Sequence, residues 1–130
     1  MKRIVFSLSL LCFSVSLPAA NKEHLKKLQE STAKQWLDWR AENPATFIDL
    51  SNADLSRTYL SGFDLSRANL SHVHLKGVNL TGSNLSGCNL SFADLSQANL
   101  RFANMSSAIL HYANLSGADL NGTNLRGASL

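Results

Sequence analysis

The chain has 130 residues, room for one domain, with 45% hydrophobic and 16% charged residues and a formal charge of +3. Lys2 and Arg3 account for most of that excess, so residues 21–130 carry only +1. This balance excludes an electrostatic case for nucleic-acid binding.

The first twenty residues read as a signal peptide. Lys2 and Arg3 form a basic start, an uncharged apolar run follows from Ile4 to Leu17, and the small residues Ala19 and Ala20 offer a cleavage site. The run is shorter than the roughly 20 apolar residues needed to span a bilayer, so no stable membrane insertion is expected after cleavage. Cys12 lacks the preceding small residues of a lipoprotein motif. A bacterial Sec-type export route is expected, to the periplasm or outside the cell. Loss of the leader leaves Cys88 as the sole thiol, so no internal disulfide supports the fold and packing must.

Residues 21–45 form a second segment, read as one amphipathic helix over 21–43 and a short linker. Leu25, Leu28, Thr32, Ala33, Trp36, Leu37 and Arg40 recur at helical spacing, while lysines and carboxylates alternate on the other side. Pro44 stops the helix because the residue before proline is pushed toward extended geometry. The expected role is to cover the open first coil of a repeat array. The competing role for Trp36 and Trp39, in a helix that binds a partner or a membrane surface, fits the mixed charge less well.

From residue 46 onward the period is five. Every fifth residue from Leu50 to Leu130 gives seventeen positions, sixteen of them leucine and one Met105. Two residues before each centre the side chain is small or apolar, with alanine at nine sites. One residue before it is Asp or Asn at thirteen, and one after is mostly Ser. A five-residue period fits neither a helix stripe nor an alternating strand, so it is a structural repeat in its own right. The small site and the leucine point inward, their neighbours face water, and Asn, Asp, Ser and Gly supply the turns.

The motif A-[D/N]-L-x-x, as in Ala53-Asp54-Leu55-Ser56-Arg57, Ala68-Asn69-Leu70-Ser71-His72 and Ala118-Asp119-Leu120-Asn121-Gly122, resembles that of the pentapeptide-repeat family. The resemblance covers residues 46–130. It implies an all-β solenoid, a right-handed quadrilateral β-helix of about four coils, here with an N-terminal α-helix cap. Residues twenty apart then lie one strand spacing apart, about 4.8 Å.

That register sorts the surface into columns. Asp64, Asn84, Asn104 and Asn124 form a structural amide ladder. Asp54, His74, Asp94 and Asn114 form another, read as hydrogen-bonded, since a flat ladder lacks the convergent ligands of a zinc site. The Asn-x-Ser/Thr sequons at Asn69, Asn79, Asn84, Asn89, Asn104 and Asn114 are by-products of the repeat. Cys88 falls on an inward site and reads as an inert hydrophobe. Phe102 stands alone among Gly62, Gly82 and Gly122 and reads as incidental packing.

The informative departures lie late. Phe92 and Tyr112 share a corner column with His72, Ile109 replaces the expected Asp or Asn, and His111 replaces Ser. An apolar strip with polar surroundings marks a candidate protein interface, and stacking that stabilises adjacent coils is the alternative. No catalytic, cofactor-binding or metal residue is nominated, because no nucleophile, acid and base converge. The expectation is an exported, non-enzymatic interaction scaffold with a protein partner. A self-associating envelope module, paired as a homodimer through the C-terminal coil, is the alternative. The resemblance also brings in protection of DNA gyrase by an acidic solenoid, but here the repeat's five aspartates are balanced by five cations. Export would also separate the protein from gyrase.

Overall fold

A computed structural model describes residues 20–130; the signal-peptide reading and Cys12 therefore lie outside the described residues. The repeats form a four-sided parallel β-helix. Isolated bridges join residues twenty apart, from Asp49 with Asn69 to Ile109 with Ser129. Face 1 is centred on Leu50, Leu70, Leu90 and Leu110, and face 2 on Leu55, Leu75, Leu95 and Leu115. Face 3 is centred on Leu60, Leu80, Leu100 and Leu120, and face 4 on Leu65, Leu85, Met105 and Leu125.

Each corner is a β-turn running from one centre to the small residue of the next side. The Ala53 N–H donates to the Leu50 carbonyl at 3.2 Å and the Ala68 N–H to the Leu65 carbonyl at 3.1 Å. The second residue after each centre has positive φ almost throughout, from Asn52 at 60° to Gly127 at 69°. This is the geometry of a type II turn, which favours glycine there. Arg57 is the exception, and beyond it Tyr59 makes no bridge to Asn79 although the neighbouring faces are paired.

The leucines of successive coils fill the interior. Leu55, Leu75 and Leu95 are fully buried, as are Leu60, Leu80 and Leu100. The small residues close the remaining space, including Ala68, Cys88 and Ala108 on face 1. Burying a leucine is worth about 1.5–3 kcal/mol, yet a single coil leaves both its ends wet, so stacking is what stabilises the array.

The N-terminal segment corrects the single-helix expectation. It forms two helices, α1 at Lys22–Glu30 and α2 at Ala33–Glu42. The break lies at Thr32, which starts α2 with a capping box: its hydroxyl accepts from the Gln35 N–H, and the Gln35 side chain accepts from the Thr32 N–H. Thr32 thus belongs to a cap rather than to an apolar stripe, and Leu37 is about half exposed.

The helices cover two edges of the first coil. The Trp36 ring is fully buried against Phe63, and its Nε1–H donates to the Asp64 carbonyl at 2.6 Å. Arg40 Nη2 donates to the Ser66 carbonyl at 2.9 Å, so face 4 is closed by α2. On face 1 the Asn21 N–H donates to the Asp49 carbonyl and the Asp49 N–H to His24 Nδ1. These are backbone groups that a preceding coil would otherwise satisfy. Among the described residues no helix is long and apolar enough to cross a membrane.

Replacing Trp36 by Ala should cost about 3–5 kcal/mol in urea unfolding, the range for a buried aromatic truncation. Trp36→Phe should cost less, because it keeps most of the packing and forfeits mainly the bond to Asp64. A wild-type midpoint for Trp36→Ala would show that the helices do not close the coil.

Candidate partner-binding surface

The thirteen Asp and Asn residues before the centres share one local function. Each uses its side-chain Oδ1 to accept the backbone N–H two residues on, as Asp64 does from Ser66 at 3.0 Å and Asn89 from Ser91 at 3.0 Å. An Asx arrangement of this kind holds the chain into the turn. Several amides also bridge coils: Asn84 Nδ2 donates to Asp64 Oδ1 at 3.1 Å and Asn124 Nδ2 to Asn104 Oδ1 at 3.1 Å. Sequence reasoning found the inter-coil ladder but missed the within-strand bond, although the Asp/Asn–Leu–Ser spacing carries its signal.

Four sites stand outside that rule, Tyr59, His74, Ile109 and Ser129, and the last two pair on face 1 beside the late strip. Ile109 occupies a site where Asp or Asn would accept the His111 N–H, so that N–H loses its local acceptor. Ile109 is 39% exposed. The His111 ring turns to Ser129, with Nε2 2.6 Å from its Oγ.

At the adjoining corner, His72, Phe92 and Tyr112 form one stack. The His72 and Phe92 rings are 4.8 Å apart and 5° from parallel, and Phe92 and Tyr112 are 5.0 Å apart and 14° from parallel. All three residues sit at left-handed backbone, with φ of 56°, 59° and 58°. A non-glycine residue there costs roughly 1–2 kcal/mol, against the ~0.5–1 kcal/mol that glycine itself loses on folding. Two stacks return about 0.5–1.5 kcal/mol each. The terms nearly cancel, so stability gives no preference for aromatics over glycine at this corner. Phe92 is 52% and Tyr112 82% exposed.

Face 1 and its corner thus bring Phe92, Ile109, His111 and Tyr112 together. His111 and Tyr112 also border a cleft of about 450 Å³ with Leu130. Phe102, on the corner after face 3, is not isolated: a Cβ on Gly122 would lie 2.5 Å from its ring, and Arg101 sits 5.6 Å above it. Phe102 covers a glycine of the next coil.

The other singled-out residues are structural in their contacts. Cys88 is fully buried with its Sγ 2.8 Å from the Leu65 carbonyl, and burial pushes the thiol up to about 12. That thiol stays protonated and unreactive. His74 bridges Asp54 and Asp94 in an exposed parallel ladder. Among the described residues no group of His, Cys, Asp and Glu is arranged to hold a metal ion.

The fold and surface define a repeat solenoid with broad faces. The pentapeptide-repeat family model matches residues 48–87 and 88–127, and the chain belongs to that family. Its architecture is the right-handed quadrilateral β-helix. Similar solved structures include alr5209, a pentapeptide repeat protein from Nostoc Pcc 7120, at 37% identity and TM-score 0.62, covering 72% of this chain and 75% of that one. Rfr23 from the cyanobacterium Cyanothece 51142 is 40% identical over 62% of this chain, with TM-score 0.47; the chain spans 52% of its length. QnrB1, a plasmid-mediated fluoroquinolone resistance protein, is 25% identical over 65% of this chain and 40% of its own, with TM-score 0.40. Comparison with the curated protein sequences gave no match.

The Asp columns set the pH response. Asp94 is held below its ordinary value by the Ser96 hydroxyl, then the Ser96 N–H, with smaller help from Lys76 and His74; Ser56 does the same for Asp54. The Asn121 N–H leads for Asp119. A carboxyl depressed in the folded state adds stability above its unfolded value, near 3.9, and loses it as pH falls through the folded value. The melting temperature should therefore stay level from about pH 8 to 5 and fall below about pH 4. Asp94→Asn should make that fall shallower, since its amide oxygen still accepts from Ser96. A melting temperature that rises on acidification would contradict the assignment.

Proposed function

We propose that this protein is an exported, non-enzymatic interaction scaffold of about four coils that captures a protein partner through the strip of Phe92, Ile109, His111 and Tyr112. The observation that carries the reading is the coincidence of local rule-breaking on one surface. Ile109 gives up the Asx acceptor, and Phe92 and Tyr112 hold bulky rings at left-handed backbone for no net stability. Proteins that break local rules commonly do so where function requires it. Aromatic residues backed by a rigid lattice also suit an interface, because little side-chain entropy is left to lose on binding.

The export half of the proposal is supported by the basic start, apolar run and small residues of positions 1–20. Near-neutral repeats favour a protein over a nucleic-acid partner. In the last coil the N–H groups of Leu115, Leu120 and Leu125 make no backbone bond, and Leu130 is 82% exposed. A further coil of this chain or of a second copy would complete that edge; self-association through the second copy is the alternative reading.

Immobilised protein and the Phe92→Ser/Tyr112→Ser variant, applied to envelope and culture fractions, should differ by one or a few captured proteins. The variant gives up the two stacks, about 1–3 kcal/mol, and should melt lower but still in one cooperative transition with the wild-type fold. Identical capture by both would refute the strip. Sedimentation of the purified protein separates the two readings: a monomer supports a foreign partner, and a concentration-dependent dimer supports a second copy.

A further inference from the structure

A second surface lies where the segment leaving α2 crosses face 4. A cleft of about 490 Å³ opens there between Arg40, Phe47, Ser66, Arg67, Asn84 and Ser86. It is separate from the late strip and independent of the reading given to it. Two guanidinium groups border it and no carboxylate does.

The arginines differ in how they are held. Arg40 is partly buried and braced by neutral oxygens: Nη2 donates to the Ser66 carbonyl at 2.9 Å and lies 3.4 Å from Ser66 Oγ, while Nη1 donates to the Thr46 carbonyl at 3.4 Å. Arg67 is exposed at a left-handed corner, φ 61°, and its Cγ would lie 3.6 Å from a Cβ on Gly87. Among the described residues the ion pairs are Lys34 with Asp38 and Arg101 with Asp119, so neither Arg40 nor Arg67 has a carboxylate partner.

Two sources of negative potential oppose this. Asp64 is near, but its Oδ1 already accepts from the Ser66 N–H and Asn84 Nδ2, and it lines the opposite side of Arg40 with Leu37 and Ala41. Two of the C-terminal carbonyls of α2 are bonded by Asn43: its N–H bonds those of Trp39 and Arg40, and its side chain bonds Trp39 again. Two cations thus border the opening, and the nearby carboxylate, Asp64, lies on the other side of Arg40. Phe47, 64% exposed, supplies an apolar wall.

We propose that this cleft binds an oxyanion, a carboxylate or a phosphate monoester, carried on a small aromatic body. Guanidinium donors match the oxygens of such groups two at a time, and the Phe47 ring receives the body. Arg67 is the recruiting charge, and Arg40 is the fixed one that also holds α2 on the coil.

The test is an NMR titration of the purified protein with phenyl phosphate, benzoate, inorganic phosphate and benzyl alcohol, following the amides of Ser66, Arg67 and Ser86. Phenyl phosphate or benzoate should shift these amides saturably, and the tighter of the two identifies the oxyanion. Inorganic phosphate should bind more weakly than phenyl phosphate, and benzyl alcohol should leave the amides in place. Arg67→Gln should weaken binding about tenfold, the loss of a charged hydrogen bond, at unchanged melting temperature. Arg67→Lys should fall between them. Absence of saturable shifts with both aromatic anions up to about 20 mM would overturn the proposal, since even weak fragments bind in that range. Equal affinity in Arg67→Gln, or an equal response to benzyl alcohol, would overturn it as well.

Discussion

This chain turns every five residues, with one residue in the left-handed region at every corner but that of Arg57, and the rest of this protein depends on that turn. With the turn fixed, the leucine and the small residue before it point inward, and residues twenty apart come into line. Hydrogen bonds between coils then form without long strands: the Leu70 N–H donates to the Asn89 carbonyl at 2.8 Å, and the Asn89 N–H to the Ala68 carbonyl at 3.1 Å. The Asx bond from Asp or Asn to the N–H two residues on secures the approach to thirteen of the corners. A single short bridge per side is a weak unit. Repetition along four faces makes it a rigid one.

A repeat of this kind has two costs, at its edges and at its corners. The first edge is met by α1 and α2, whose Trp36, Arg40, His24 and Asn21 replace a preceding coil's hydrogen bonds with side-chain and terminal groups. The left-handed corners are met by glycine at seven positions and by other residues at eight. Where a corner carries an aromatic, the ring must find a use for its area. Phe102 finds it on Gly122, His72 beneath Phe92, and Phe92 beneath Tyr112. Tyr112 has no further ring to stack on and remains open to solvent, which is why the strip ends in the most exposed aromatic of the described chain.

Much of this was legible in the residues because the repeat is nearly free of noise. A leucine every fifth position carries the inward side, and the twenty-residue register follows once four sides are granted, so the stack of His72, Phe92 and Tyr112 could be placed by counting. What escaped needed three dimensions or a finer local rule. The break at Thr32 was written in the Thr32-to-Gln35 capping box but masked by a continuous helical pattern across it. Leu37 looked like a stripe residue until the break rotated α2 and left it about half exposed. The anion cleft could not be counted out, because Arg40 meets Ser66 only through the docking of α2, 26 residues away.

The central claim is the twenty-residue register, because every surface assignment rests on it. Paired cysteines at positions 79 and 99, in a Cys88→Ser background, test it directly. Outward sites on adjacent parallel strands are about 4.8 Å apart, inside the range a disulfide tolerates. The Asn79→Cys/Asn99→Cys variant should cross-link on mild oxidation, while Asn79→Cys/Asp94→Cys and Asn79→Cys/Asn104→Cys should remain reduced. Cross-linking of either offset pair as readily as the 79–99 pair would contradict the register and every column built on it.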